Sequence, residues 1–148
     1  MKEDKTVLEE GTEVRLNFRK LKKYFLQNDG REREIMPVVV QDVFTCEVLI
    51  LAFVNRQAFD YSLRTGQVAF WSTSRNEFWV KGMTSGSFLE IVEIRVNCDQ
   101  NSLLYLVKQV NNAGACHTKE KGGYRKSCYY RRISDDGKKL TKLRRKEK

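Results

Sequence analysis

Apolar positions alternate with polar ones along most of this chain, and a helical period appears in only two places. Val14, Phe18, Leu21 and Phe25 stand at helical spacing with basic residues between them, which predicts a helix over residues 14–27 ended by Gly30. Asn55 is placed to cap a second helix, "RQAFDYSLRT", with Gly66 to close it. The rest reads as β. "MPVVVQDV" and "CEVLILAFV" predict a hairpin, the second strand buried on both faces. "QVAFWS", "EFWVKG", "FLEIVEIRVNC" and "SLLYLVKQV" follow as short β-branched and aromatic runs, with "SCYYRRI" as a last strand. Strands outnumbering two helices predict an α+β fold built on a mostly antiparallel twisted sheet.

Length changes this picture little: 148 residues suit one domain able to build its own core. With 41% apolar and 32% charged residues the chain is globular rather than disordered. No apolar run nears the ~20 residues of a membrane span, and the start, "MKEDKTVLEEG", lacks a secretory apolar region. The expected location is cytoplasmic, where four cysteines mean metal binding or free thiols rather than disulfides.

Charge is unevenly spread. Residues 1–115 balance at 15 basic and 15 acidic; residues 116–133 carry six basic and one acidic; residues 134–148 carry seven basic and three acidic. The tail reads as a solvated, frayed end. The middle stretch reads as attraction for a phosphorylated substrate, ahead of nucleic acid, for which no binding module is present.

Cys98, Cys116 and Cys128 fall at strand ends or in the long loop after the sixth strand. Three thiolates with an open fourth position describe a catalytic zinc site; three buried thiols packing as small hydrophobes describe them equally well. Cys46 sits in a hairpin turn and reads as structural. His117, the single histidine, adjoins Cys116 and suits a proton carrier, a ligand or a plain loop residue. "STSRNEFWVKGMTSGS" gathers Ser72, Thr73, Ser74, Arg75, Lys81, Thr84, Ser85 and Gly86. Such a set can bind phosphate, although a polar hairpin loop explains it as simply. Trp71 and Trp79 read as core.

Taken in order, "GQVAFWSTSRNEFWVKGMTSG", "VEIRVNCDQNSLLYLV", "GACHT" and "SCYYRR" resemble the phosphoribosyl-AMP cyclohydrolases of histidine biosynthesis. The resemblance spans residues 36–133, between an N-terminal helical extension, 1–35, and a basic tail, 134–148. It implies an intertwined homodimer in which Cys98 of one subunit joins Cys116 and Cys128 of the other on zinc. It also implies hydrolysis of the N1–C6 bond of the adenine ring of phosphoribosyl-AMP. Zinc would activate the water, His117 would move a proton toward N1, and Arg75, Lys81, Thr84 and Ser85 would hold phosphate. Three departures stand out. Where the family has Asp-Cys-Asp-x-Asp on magnesium, this chain has Asn97, Asp99 and Asn101, a degenerate site short of two charges. Val80 replaces a histidine, and "KEKGG" looks inserted. These departures leave two other readings beside the first: a diverged zinc hydrolase of another modified purine nucleotide, or a non-catalytic zinc-binding relative.

Overall fold

The computed structural model describes residues 5–26, 29–112 and 114–144. The elements run α1 (Lys5–Glu10), a 3-10 turn (Lys22–Tyr24), β1 (Met36–Asp42), β2 (Val48–Val54), α2 (Arg56–Thr65), β3 (Ala69–Ser72), β4 (Glu77–Val80), β5 (Leu89–Val96) and β6 (Leu103–Gln109). A second 3-10 turn at Val110–Asn112 follows, and then β7 (Lys119–Glu120), β8 (Gly123–Tyr124), β9 (Arg131–Ile133) and β10 (Leu140–Lys142).

The first six strands form one sheet in the order β4-β3-β2-β1-β6-β5. All neighbours are antiparallel except β1 and β6, which are parallel. The sheet curls until its β5 edge meets the segment that leads into β3. Val68 donates its N–H to Leu89 O (3.1 Å) and Ile91 donates to Gly66 O (2.6 Å). This closure leaves less open edge and draws the end of β4 inward, where Lys81 N–H donates to Val68 O (2.9 Å).

β1 alternates buried and half-buried positions, as a strand with one face on the core should. Its inward residues Met36, Val38 and Val40 pack with Leu49, Val54, Val68, Phe70, Leu89 and Tyr105. Each such fully buried side chain stabilises the fold by about 1.5–3 kcal/mol relative to exposure. α2 lays Ala58, Phe59 and Ser62 on this core. Asn55 Oδ1 accepts from Ala58 N–H (2.9 Å), and Gly66, at φ 73°, closes the helix as the sequence predicts. Ser62 Oγ accepts from Ala69 N–H (2.9 Å), which ties the helix to β3.

Four expectations need correction. No α-helix covers the described part of residues 14–27; only the short 3-10 turn lies there, and α1 precedes it. Phe18 packs on Phe59 (centroids 6.1 Å apart) and Phe25 on Phe53 (5.1 Å), whereas Val14 is exposed. Separate tertiary contacts for Phe18 and Phe25 thus replace a common helical face. β2 is buried on one face only, with Val48 and Leu51 exposed. The last predicted strand shrinks to β9, because Ser127 and Cys128 bond across to β2 instead. The basic tail is ordered as far as a hairpin, with Leu140 opposite Ile133 and Lys142 opposite Arg131.

Candidate functional site

Two backbone ribbons bring Cys116 and Cys128 together. Residues 115–118 pair with 125–126 through Ala115 N–H to Lys126 O (3.0 Å), Cys116 N–H to Arg125 O (3.1 Å) and Arg125 N–H to Thr118 O (2.9 Å). The "KEKGG" stretch forms the tip of this ribbon, where β7 and β8 pair around Lys121 and Gly122. Gly114 enters the ribbon so closely that an added Cβ would collide with the carbonyls of Tyr124 and Arg125. Past the tip the chain is pinned to β2. Cys128 N–H donates to Leu49 O (2.8 Å), and Ser127 Oγ donates to Val48 O (2.7 Å). Lys126 reaches Thr45 Oγ1 (3.1 Å), Glu47 (3.3 Å) and Asp42 (3.5 Å) in the β1–β2 turn.

The two thiols lie near enough to shift each other's ionisation, with the Lys81 ammonium in electrostatic reach of both. Burial pushes the Cys128 thiol up to about 12, and the neighbouring Cys116 charge adds to this. Burial acts the same way on Cys116, but Thr118 outweighs it. The Thr118 hydroxyl lies 2.9 Å from Cys116 Sγ and its N–H 3.4 Å away; with Cys128 and Arg125 they hold Cys116 below the ordinary thiol value. Burial depresses Lys81 and the two sulfurs oppose it. Of the two, Cys116 is the thiol whose ionisation its surroundings favour and Cys128 the one whose ionisation they oppose.

Soft thiols near one another, one with its ionisation eased by its surroundings, suit zinc. They make two donors, not three. Cys98 is exposed at the end of β5, and among the described residues of one chain no three His, Cys, Asp or Glu side chains stand close enough to hold a metal ion. The three thiols grouped by their positions in the sequence thus do not meet within a single chain. His117 is exposed beside the buried Cys116 and has no side-chain partner among the described residues.

Asn97 and Asn101 use their side-chain amides within the 97–101 loop. Asn97 Oδ1 accepts from the N–H groups of Asn101 and Ser102 (2.9 Å each), and Asn97 Nδ2 donates to Asn101 Oδ1 (2.6 Å). Both amide oxygens are engaged, leaving the Asp99 carboxylate as the loop's single charged donor, a poor fit to magnesium. Val80 is buried in the core, far from a polar role.

The loop residues expected to bind phosphate separate. Lys81 is buried and donates to Ser87 O (3.3 Å), beside the thiols rather than in the open loop. Arg75 is exposed, 3.4 Å from Glu77 and over the Trp79 ring, whereas Thr84 and Ser85 lie in an exposed turn. Gly82, at φ 95°, sits where a Cβ would strike the backbone of Ser87 and Phe88. Trp79 packs on the core as expected, and Trp71 buries its indole nitrogen without a partner. Sequence reasoning missed Gln100, which is buried and holds the N-terminal segment. Nothing in its polar surroundings along the chain signals this.

The family model for phosphoribosyl-AMP cyclohydrolase matches residues 50–130, which span β2 through Cys128. A phosphoribosyl-AMP cyclohydrolase of Archaeoglobus fulgidus is 50% identical over 105 residues, covering 71% of this chain and 91% of the relative. One from Methanocella arvoryzae is 48% identical over 69% of this chain and 80% of the relative. A histidine biosynthesis bifunctional protein HisIE of Lactococcus lactis is 46% identical over 71% of this chain and 46% of its own length. On this extent of match, and with the paired thiols inside the matched region, the chain belongs to the phosphoribosyl-AMP cyclohydrolase family.

Proposed function

We propose that this protein is a phosphoribosyl-AMP cyclohydrolase that opens the adenine ring of its substrate in histidine biosynthesis. The observation that carries this is the buried Cys116–Cys128 pair with Lys81 against it, set within the region that matches the family. Cys116 and Cys128 of one subunit, with Cys98 of a second copy, would hold zinc. An exposed Cys98 and the exposed apolar Val48, Leu51, Val92 and Val96 support a homodimer of this kind. When bound, zinc supplies activation of water at neutral pH.

The remaining chemistry falls to the chain's own residues. Water adds at C6, the N1–C6 bond breaks, N1 takes a proton and C6 becomes a carboxamide carbon. His117, exposed beside Cys116, is placed to carry that proton. Lys81 stands as a buried cation that balances thiolate charge and keeps its side of the site positive. Arg75, Thr84 and Ser85 on the exposed turns, and the basic ribbon with Arg125 and Arg131 about Tyr130, offer phosphate contacts. Magnesium has no assigned step, because Asn97 and Asn101 spend their amides within the 97–101 loop.

Zinc-loaded protein mixed with phosphoribosyl-AMP, with and without magnesium, tests the proposal by the absorbance change of ring opening. Magnesium-independent turnover supports it; no turnover from protein that retains its zinc overturns it. One observation favours a second reading, a zinc hydrolase of another N-substituted purine nucleotide. Val80 places an aliphatic side chain in the core where family members carry histidine, which removes a polar group that recognition of the usual substrate could use.

A further inference from the structure

The N-terminal segment, outside the family-matched residues, lies across the loop that presents Cys98. Gln100 makes the join. Its side chain is 5% exposed, and all three of its bonds go to backbone more than eighty residues away. Gln100 Oε1 accepts from Arg15 N–H (2.5 Å), while Nε2 donates to Leu8 O and Glu13 O (3.2 Å each). The residue reaches this position at φ 50°, a left-handed conformation unusual for a non-glycine residue and kept only where its surroundings demand it. Lys20 adds a bond to Asp99 O (3.4 Å). The segment is itself anchored, by Leu8 buried at one end and by Phe18 against Phe59 and under Arg56 at the other. Between segment and loop lies a cleft of about 230 Å³, lined by Leu8, Gly11, Glu13, Val96, Cys98 and Gln100.

We infer that Gln100 is a positioning residue through which the N-terminal segment fixes the Cys98 thiol for metal binding in a second copy of the chain. The inference rests on the reading of Cys98 as a zinc ligand. Cys98 is exposed on a turn closed locally by Asn97 and Asn101 and joined to the N-terminal segment through Gln100 and Asp99. Gln100, two residues on, makes that join a clamp on the thiol. Partners bonded directly to a metal ligand are worth about 10- to 100-fold in affinity, and Gln100, which acts through the backbone, belongs at the low end of that range.

The test is cobalt(II) titration of full-length protein, read by the thiolate-to-cobalt absorption band, beside thermal unfolding. Gln100→Leu removes the three bonds. Gln100→Glu keeps the acceptor but turns a carboxylate on two carbonyls. Leu8→Asp lifts the segment with Gln100 intact, and carries the test alone if the Gln100 variants fail to fold. All three should weaken cobalt binding by up to about tenfold and reduce the band per bound metal. A role in stability alone would lower the melting temperature and leave band and affinity unchanged, and that result overturns the inference. Cys98→Ser separates the two readings. Cobalt binding as tight as in the parent protein would remove Cys98 from the site and end both. Weakened binding in Cys98→Ser with parental binding in the Gln100 and Leu8 variants would overturn the clamp alone.

Discussion

The thiol pair and the 97–101 loop both carry polar residues within the family-matched region, yet the fold treats them in opposite ways. Around Cys116 and Cys128 the backbone satisfies itself mostly along the ribbon and on β2, and the sulfurs lie near each other and Lys81, with Thr118 bonding Cys116 Sγ. In the loop the side chains of Asn97 and Asn101 do the backbone's work, closing the turn between β5 and β6. A donor atom can serve a ligand only if the fold does not already consume it. This supports the proposal of the thiol pair as the reactive centre and of the amide loop as a structural element.

The sharpest break of this contrast is Cys116→Ser. Loss of the more acidic sulfur should abolish both bound zinc and turnover, read by metal analysis and the ring-opening assay; retention of either would mean the pair is not the centre. Next comes Gly114→Ala. A methyl group there collides with two carbonyls of the ribbon, and the forced shift should cost about 1–3 kcal/mol in a denaturation midpoint and weaken zinc binding with it. An unchanged midpoint would show that the ribbon yields freely.

Asn97→Asp with Asn101→Asp probes the other side. Two carboxylates would replace the amide-to-amide bond and give Asp99 company, so magnesium should raise the melting temperature of the double variant but not of the parent protein. A parent that responds equally would dissolve the distinction between the regions.

A smaller effect concerns the arm that ties the ribbon to the β1–β2 turn. Burial would raise the Asp42 carboxyl, but N–H groups of Thr45 and Phe44 and the Lys126 charge outweigh it and hold it below the ordinary 3.8. The folded value lies below the unfolded one, so this stability is fully present above about pH 4 and is lost as pH falls through the depressed folded value. Asp42→Asn should therefore lower stability near neutrality and flatten part of its pH dependence below about pH 4, measured by circular dichroism of denaturant unfolding. Smallest is Asn55→Ala, far from both regions, which should cost about 1 kcal/mol through a lost helix cap and leave metal binding unaltered.

Much of the sheet was legible because its signals are local. Alternation marks β1, β5 and β6 within a few residues each, and Asn55 with Gly66 brackets α2 at both ends. The N-terminal helix failed for the same reason that these succeeded. Val14, Phe18, Leu21 and Phe25 have the right spacing, but Phe18 and Phe25 find different partners on α2 and β2, and those contacts outweigh the propensity of the segment. The site residues Cys98, Cys116, Cys128 and His117 could be picked out by type. Their separation into a paired centre and an exposed thiol could not, and neither could the burial of Lys81.

The sequence by itself determined the six strands of the main sheet, the capped α2, the cysteines and the two missing carboxylates, because each is written in neighbouring residues. Only the tertiary structure decided that Cys116 meets Cys128, that Lys81 turns inward and that Gln100 holds the N-terminal segment. Those contacts join residues far apart in the chain, and they arise from curling of the sheet and from backbone bonds that no local pattern encodes.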